Sequence, residues 1–242
     1  MHVLGIETAT QVASVAVASN GGILAERMVH NRRTHSVNLL PMIKAVLEES
    51  VEERRSLEGI AVSSGPGSFT GLRIGMSTAK ALAAVWNIPV VAVSTLETLA
   101  FVLKGHGSLV CPILNARKNE VYAAVYDFLD GNSNSMTCLH GPVAVQPGEL
   151  AEMLLNYDRP VTFTGDGIGE FGHLFKERLG KKARFTPFSV AFPRGAAVAE
   201  LGLLAFREGR GGDPMDIKPE YIRVSEAEAV WLRKNSPGGL TE

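Results

Sequence analysis

The chain has 242 residues, 45% of them hydrophobic and 20% charged, with a formal net charge of −1. That length suits one large domain or two small ones. The charge balance argues against a protein that binds RNA or an anionic membrane by itself, because neutralising phosphates takes a basic excess.

From the N-terminus, Val3–Ile6, Val12–Ala18 and Ile23–Val29 read as strands, with Asn20-Gly21-Gly22 turning between the second and third. The chain enters the first strand with no basic start or cleavage site and has no run of 18 apolar residues, which predicts a cytoplasmic protein without a membrane contact. Cys111 and Cys138 lie far apart without C-x-x-C spacing, as reduced thiols do. Arg32-Arg33, flanked by His30 and His35, is the one dense basic spot and reads as a solvated loop. A helix over 38–51 follows from Leu39, Ile43, Val46 and Leu47, with Pro41 tolerated if the helix starts near Asn38. Gly59–Ser63 is a strand, 71–86 a helix and Pro89–Val93 a strand. Ser94 or Thr95 then caps a helix carrying Leu96, Leu99, Ala100 and Leu103.

The second half repeats the series. Leu109–Leu114 and Val121–Phe128 form a hairpin around Ala116–Asn119, with Arg117 and Glu120 as a charge pair at its tip. A third strand falls near Val143–Val145, and Pro147 opens a short helix. Val161–Thr164, Ile168–Leu179, Ala183–Phe185 and Gly195–Arg207 complete the order strand, helix, strand, helix. Two copies of βββαβαβα describe an α/β protein of two ribonuclease-H-like domains, the actin-like (ASKHA) plan. The expected division is 1–103, a linker at 104–108, 109–210, and a tail over 211–242 that packs back on the first half. Trp86 is expected in the core, and Trp231 is expected to anchor the tail.

The stretch Ser63–Arg73, S-S-G-P-G-S-F-T-G-L-R, breaks a strand and opens a helix that Ser68 or Thr70 can cap. Free N–H groups there, with Arg73 one turn in, suit an anion. Its spacing nevertheless departs from a P-loop, because Gly65 is followed five and six positions later by Thr70 and Gly71 and no lysine comes before Lys80, and it misses G-x-G-x-x-G by one residue. The helix itself carries Gly71, Gly75, Ala79 and Ala83 every four residues, a ridge against which another backbone can lie closely.

Ile6–Thr10, Ser64–Gly75, Ala79–Leu82, Asn115–Tyr122 and Pro219–Arg223 together resemble the TsaB (YeaZ) family. The resemblance implies two actin-like domains and a part in making the threonylcarbamoyl modification of adenosine 37 in tRNA. It implies a non-catalytic partner that forms a heterodimer with its paralogue TsaD, the transferase, joined by the ATPase TsaE. Contact with tRNA would come only through the complex; a rival to the heterodimer is a homodimer of the protein alone, an isologous contact through the same small-residue ridge. TsaD-type proteins carry V-N-H-M-E-G-H-L after the fifth strand. The matching residues here are Val93–Ala100, with Thr95 and Leu99 in place of the metal-binding histidines and only Glu97 kept. The six histidines show no ligand spacing elsewhere, so neither a metal nor any other cofactor is expected, and no catalytic residue. The family's I-D-T-S at the first hairpin is Ile6-Glu7-Thr8-Ala9 here, and Thr164–Gly169 occupies the place of an adenosine loop.

The partner face is expected on the helices at 38–51 and 71–86, at His35, Leu39, Ile43, Leu47, Met76, Lys80 and Ala83. The candidate nucleotide or anion contacts are Glu7, Thr8, Gly67, Ser68, Thr70 and Arg73. The rival reading is a small-molecule kinase or ATPase of the actin-like class, which would need an aspartate where Glu7 stands.

Overall fold

A computed structural model describes residues 1–31, 34–50, 57–128 and 136–223. Arg32-Arg33, Val51, Trp231 and the tail beyond Arg223 lie outside the described residues.

Strands β1 (His2–Glu7), β2 (Ala13–Ser19) and β3 (Gly22–Val29) form the expected antiparallel meander. Then come α1 (His35–Ser50), β4 (Gly59–Gly65), α2 (Phe69–Trp86), β5 (Val90–Ser94) and α3 (Thr95–Phe101). The second series is β6 (Leu109–Arg117), β7 (Glu120–Asp127), β8 (Thr137–Val145), α4 (Pro147–Leu155), β9 (Val161–Thr164), α5 (Ile168–Leu179), β10 (Ala183–Phe185) and α6 (Gly195–Arg207). The first sheet runs β3-β2-β1-β4-β5 and the second β10-β9-β6-β7-β8. Read from its own first strand, the second order is the same as the first, with antiparallel pairs on one side of the leading strand and parallel pairs on the other. This is the duplicated ribonuclease-H-like, actin-like fold.

Among the differences from the pattern are two elements and one charge pair. Helix α1 begins at His35, three residues earlier than the apolar period indicated, so Pro41 lies inside it. Both Pro41 and Val37, whose carbonyl loses a helical donor, are on the exposed side, where solvent can serve that carbonyl. Strand β8 starts at Thr137; its exposed first six residues carry no alternation to read, and its Gly-Pro suits an edge strand. Glu120 pairs with Arg223, not with Arg117.

The packing of the last helix of each series crosses over. Leu96, Leu99 and Ala100 of α3 bury against Val110, Leu114 and Ala124 of the second sheet. Val198, Ala199 and Leu203 of α6 bury against Val3, Ala18 and Ala61 of the first. Residues 188–207 are apolar enough by composition to span a bilayer, but within them the apolar side of α6 is used on this sheet. The free N–H groups at the start of α6 also find acceptors in the first sheet. Gly195 N donates to Ser14 Oγ (2.8 Å) and Ala196 N to Glu26 Oε1 (3.1 Å), while Arg194 pairs with Glu26. After α6, Val90 and Gly212 exchange backbone hydrogen bonds, and the chain runs back along the first lobe to Arg223. Trp86 packs at the margin of the first core.

Candidate functional site

The glycine turn is a packing device. Ser68 N donates to Ala9 O (2.7 Å), and Ser68 Oγ accepts from Gly71 N (3.2 Å), capping α2. Thr8 Oγ1 donates to Gly71 O at 2.8 Å. A Cβ at Gly71 would collide with Thr8 O, and one at Gly67 with Ala9 O, so both glycines serve the close approach of α2 to the β1–β2 turn. Replacing Ser68 by Ala should cost about 1 kcal/mol, the usual worth of such a cap, measured by urea unfolding.

The six candidate anion contacts are therefore neighbours but not an open cradle. Glu7 and Thr8 are fully buried. Glu7 accepts from Ala9 N (2.6 Å) and from Ser63 Oγ, and burial pushes its carboxyl up to about 7 despite those bonds. Gly67 and Ser68 are used as described. Thr70 and Arg73 are exposed, but the Arg73 guanidinium lies 3.9 Å above the Phe69 ring, and its Nε donates to Tyr221 Oη (3.3 Å). At the adenosine-loop position, Gly165 has a φ of 112° and lies against the backbone of Ile113, to which Gly167 N donates (3.1 Å). That turn, too, is filled by the chain itself.

Most of the residues expected on a partner face are turned inward. Leu39, Ile43, Leu47, Met76 and Ala83 all point into the first core, and the small-residue ridge lies inward on the first lobe. Apolar period marks the buried side of a helix before it marks anything else, and here it did. His35 is half-buried, its ring Nε2 donating to Thr10 O (2.8 Å), and Lys80 Nζ donates to Met215 O (3.2 Å). What α1 and α2 leave outside is different. Val37 and Leu40 (57% exposed) stand on α1, Phe69 and Val85 (81% exposed) on α2. Between the helices runs an open groove of about 520 Å³, lined by Leu40, Phe69, Arg73 and Ile74 among others. The sequence did signal this face, since Val37, Leu40 and Lys44 recur at helical spacing opposite the core set, but an apolar residue among polar ones reads as ordinary surface.

Where the resemblance places metal-binding histidines, Thr95 and Leu99 are buried at the base of α3. Burial also raises the Glu97 carboxyl above its ordinary value, with the Arg210 charge opposing. Among the described residues, no three His, Cys, Asp or Glu side chains gather as a metal would require.

A family model described as TsaD, tRNA N6-adenosine threonylcarbamoyltransferase, matches residues 3–231. The chain is 38% identical to the tRNA threonylcarbamoyladenosine biosynthesis protein TsaB of Escherichia coli, over 97% of this chain and 96% of that one. It is 32% identical to TsaB of Bacillus subtilis, over 96% and 98%. A crystal structure from Pseudomonas aeruginosa, described as similar to peptidase YEAZ, superposes with a TM-score of 0.79 at 26% identity, covering 92% of this chain and 99% of that one.

Proposed function

Because the chain belongs to the TsaB (YeaZ) family, we propose that it is the non-catalytic partner of TsaD. It binds and activates TsaD in transferring threonylcarbamoyl to adenosine 37 of tRNA, with TsaE as a further member of the assembly and tRNA reached through the complex. The observation that carries this reading is a mismatch within one fold. The chain matches the TsaD model along most of its length, yet Thr95 and Leu99 stand where that enzyme's motif has metal-binding imidazoles. One retained carboxylate, Glu97, is not a ligand set. The rival reading as a kinase or ATPase of the same fold loses support from Glu7, whose two oxygens are buried and taken by Ala9 and Ser63.

The docking face is the outward side of α1 and α2. It offers Val37, Leu40, Phe69 and Val85 to a partner, and its apolar centre with a polar rim has the make-up of an interface. TsaD is the occupant that the shared fold favours, since paralogous domains present matching helices to one another.

The test is size-exclusion chromatography of the protein mixed with TsaD of the same organism, alongside Leu40→Arg and, as a control on α4, Leu155→Arg. The wild type and Leu155→Arg should form a one-to-one complex, and Leu40→Arg should weaken it at least about thirtyfold, the effect of losing a central contact. Ala79→Arg or Ala83→Arg would not serve, because both positions are fully buried and the variants would fail to fold. A wild type that does not associate with TsaD, or a complex indifferent to Leu40→Arg, would overturn the proposal or its face. A dimer of the protein alone that Leu40→Arg dissociates would mean that the same face pairs with itself.

A further inference from the structure

The segment from Gly212 to Arg223 is neither helix nor strand, yet it is fastened along its whole length. Gly212 exchanges both backbone hydrogen bonds with Val90 (3.0 Å each) at the edge of the first sheet. Met215 O accepts from Lys80 on α2, and Ile217 packs against the first core. Glu220 N donates to Ser64 O (2.7 Å), and its carbonyl lies so close to Gly65 that a side chain there would collide with it. The Tyr221 ring sits 5.1 Å from Phe69 while its hydroxyl accepts from Arg73. Two residues further on, Arg223 leaves the first lobe altogether. It pairs with Glu120 (2.7 Å) and approaches Ala116 O (3.5 Å), both at the β6–β7 hairpin of the second lobe.

That hairpin is conformationally loaded. Arg117, Lys118 and Asn119 hold φ values of 64°, 54° and 59° in succession, the left-handed region that residues with a Cβ avoid. Such backbone persists where surrounding contacts over-determine it. The contacts here include Asn115 Oδ1 accepting from Arg117 N (2.8 Å), Asp166 Oδ1 accepting from Asn115 N (3.0 Å), Asn115 Nδ2 donating to Glu170, and the Arg223–Glu120 pair.

We infer that the end of this Gly212–Arg223 segment is a strap that couples the α1/α2 docking face to the second lobe, with the Phe69–Arg73–Tyr221 cluster on one side and the Arg223–Glu120 latch on the other. Tyr221 and Arg223 are separated by a single residue, a span of about 7 Å in extended chain, so little slack exists between the two ends. Pro214 and Pro219 remove further freedom by fixing φ. Phe69 and Arg73 line the groove that a partner would fill, so a partner that sets their positions also sets Tyr221 and, through it, the latch. Linkage makes the coupling reciprocal: opening the latch changes partner affinity by the factor by which the partner changes the latch. Tyr221, Arg223 and Glu120 are thus positioning residues for the docking face. The inference rests on the docking proposal for one of its two readouts.

The experiment uses the full chain as wild type, Arg223→Ala, Glu120→Ala and the charge reversal Arg223→Glu/Glu120→Arg, with Tyr221→Phe and Tyr221→Ala at the other end. Amide hydrogen exchange in the free protein should quicken at least about tenfold at Glu220, and also at Gly71 and Leu72, in both latch single variants, and return toward wild type in the reversal. TsaD affinity should fall about three- to tenfold in the latch variants, with recovery in the reversal, and more in Tyr221→Ala than in Tyr221→Phe, which keeps the ring. Exchange that quickens only at the β6–β7 hairpin would overturn the coupling, whether or not TsaD binds. So would latch variants that lose thermal stability but bind TsaD as the wild type does. A wild type that ignores TsaD would sink the docking proposal alone and leave the exchange experiment to decide the coupling.

Discussion

Glu7→Gln should stabilise the protein at pH 8 by about 3 kcal/mol and change its stability at pH 4 by less than about 1 kcal/mol. The Glu7 side chain is wholly buried at the end of β1, and desolvation lifts its carboxyl from an ordinary 4.5 to about 7 against the pull of the Ser63 and Ala9 hydrogen bonds. A carboxyl raised in the folded state binds its proton more tightly there than in the unfolded chain. Its favourable contribution is complete below pH 4.5 and disappears as pH rises through 7. At 1.36 kcal/mol per pH unit, the interval from 4.5 to about 7 amounts to about 3 kcal/mol. Glutamine keeps the shape, accepts from Ala9 N with its carbonyl and donates to Ser63 Oγ with its amide, without ever ionising. Urea titrations of both proteins from pH 4 to pH 8 should therefore diverge between pH 4.5 and 7 and run parallel above it. A difference that does not vary with pH would show that Glu7 titrates normally, and that a water or a cation reaches it.

Gly5→Ala should destabilise the fold by about 3 kcal/mol, at the top of the range for overpacking, and lower Tm by roughly 6–12 °C. Gly5 lies at the middle of β1, between β2 and β4, where α6 crosses. A Cβ there would fall 2.6 Å from Ala199 N and 2.8 Å from Ala199 Cβ, and it would also strike Gly195 O. Backbone cannot step aside as a flexible side chain would, so α6 must lift from the first sheet. Lifting it disturbs the burial of Val198, Ala199 and Leu203, together with the Ser14 and Glu26 acceptors at its N-terminus. The control is Gly21→Ala, at an exposed turn where the nearest atom to the new methyl is Ser19 Oγ at 3.7 Å; it should stay within about 0.5 kcal/mol of wild type. Equal melting temperatures for Gly5→Ala and wild type would mean that α6 does not sit against β1 as described.

The element order was legible because it depends on signals within a few residues of one another. Asn20-Gly21-Gly22 makes the hairpin turn, Ser68 and Ser94 cap their helices through the N–H groups of Gly71 and Glu97, and two strand-helix series follow at the same spacing. The duplicated sheet order follows readily from that series, because the rule that connections are right-handed and uncrossed leaves few ways to arrange the strands. The start of α1 and the length of β8 were not legible, since the half-buried His35, the exposed Ser36 and Val37, and the exposed stretch Thr137–Pro142 carry no apolar period.

The site was only half legible. The motif residues at Ser64–Gly75 and Pro219–Arg223 do meet in space, but the sequence could not say that Tyr221 lies on Phe69 or that Arg223 finds Glu120. Nor did the apolar residues on the outward side of α1 and α2 stand out from ordinary surface, although Leu40, next to the buried Leu39 in the chain, is 57% exposed. Local chemistry, then, determined by itself the elements, their order and the duplicated architecture, because turns, caps and apolar periods act over one or two helical turns. The tertiary structure alone decided the exchange of α3 and α6 between sheets, the filling of the glycine turn by Thr8 and Ala9, and the strap from α2 to the β6–β7 hairpin. Those contacts join residues far apart in the chain, and whether they form depends on shape and burial in the assembled core, which no short stretch of sequence contains.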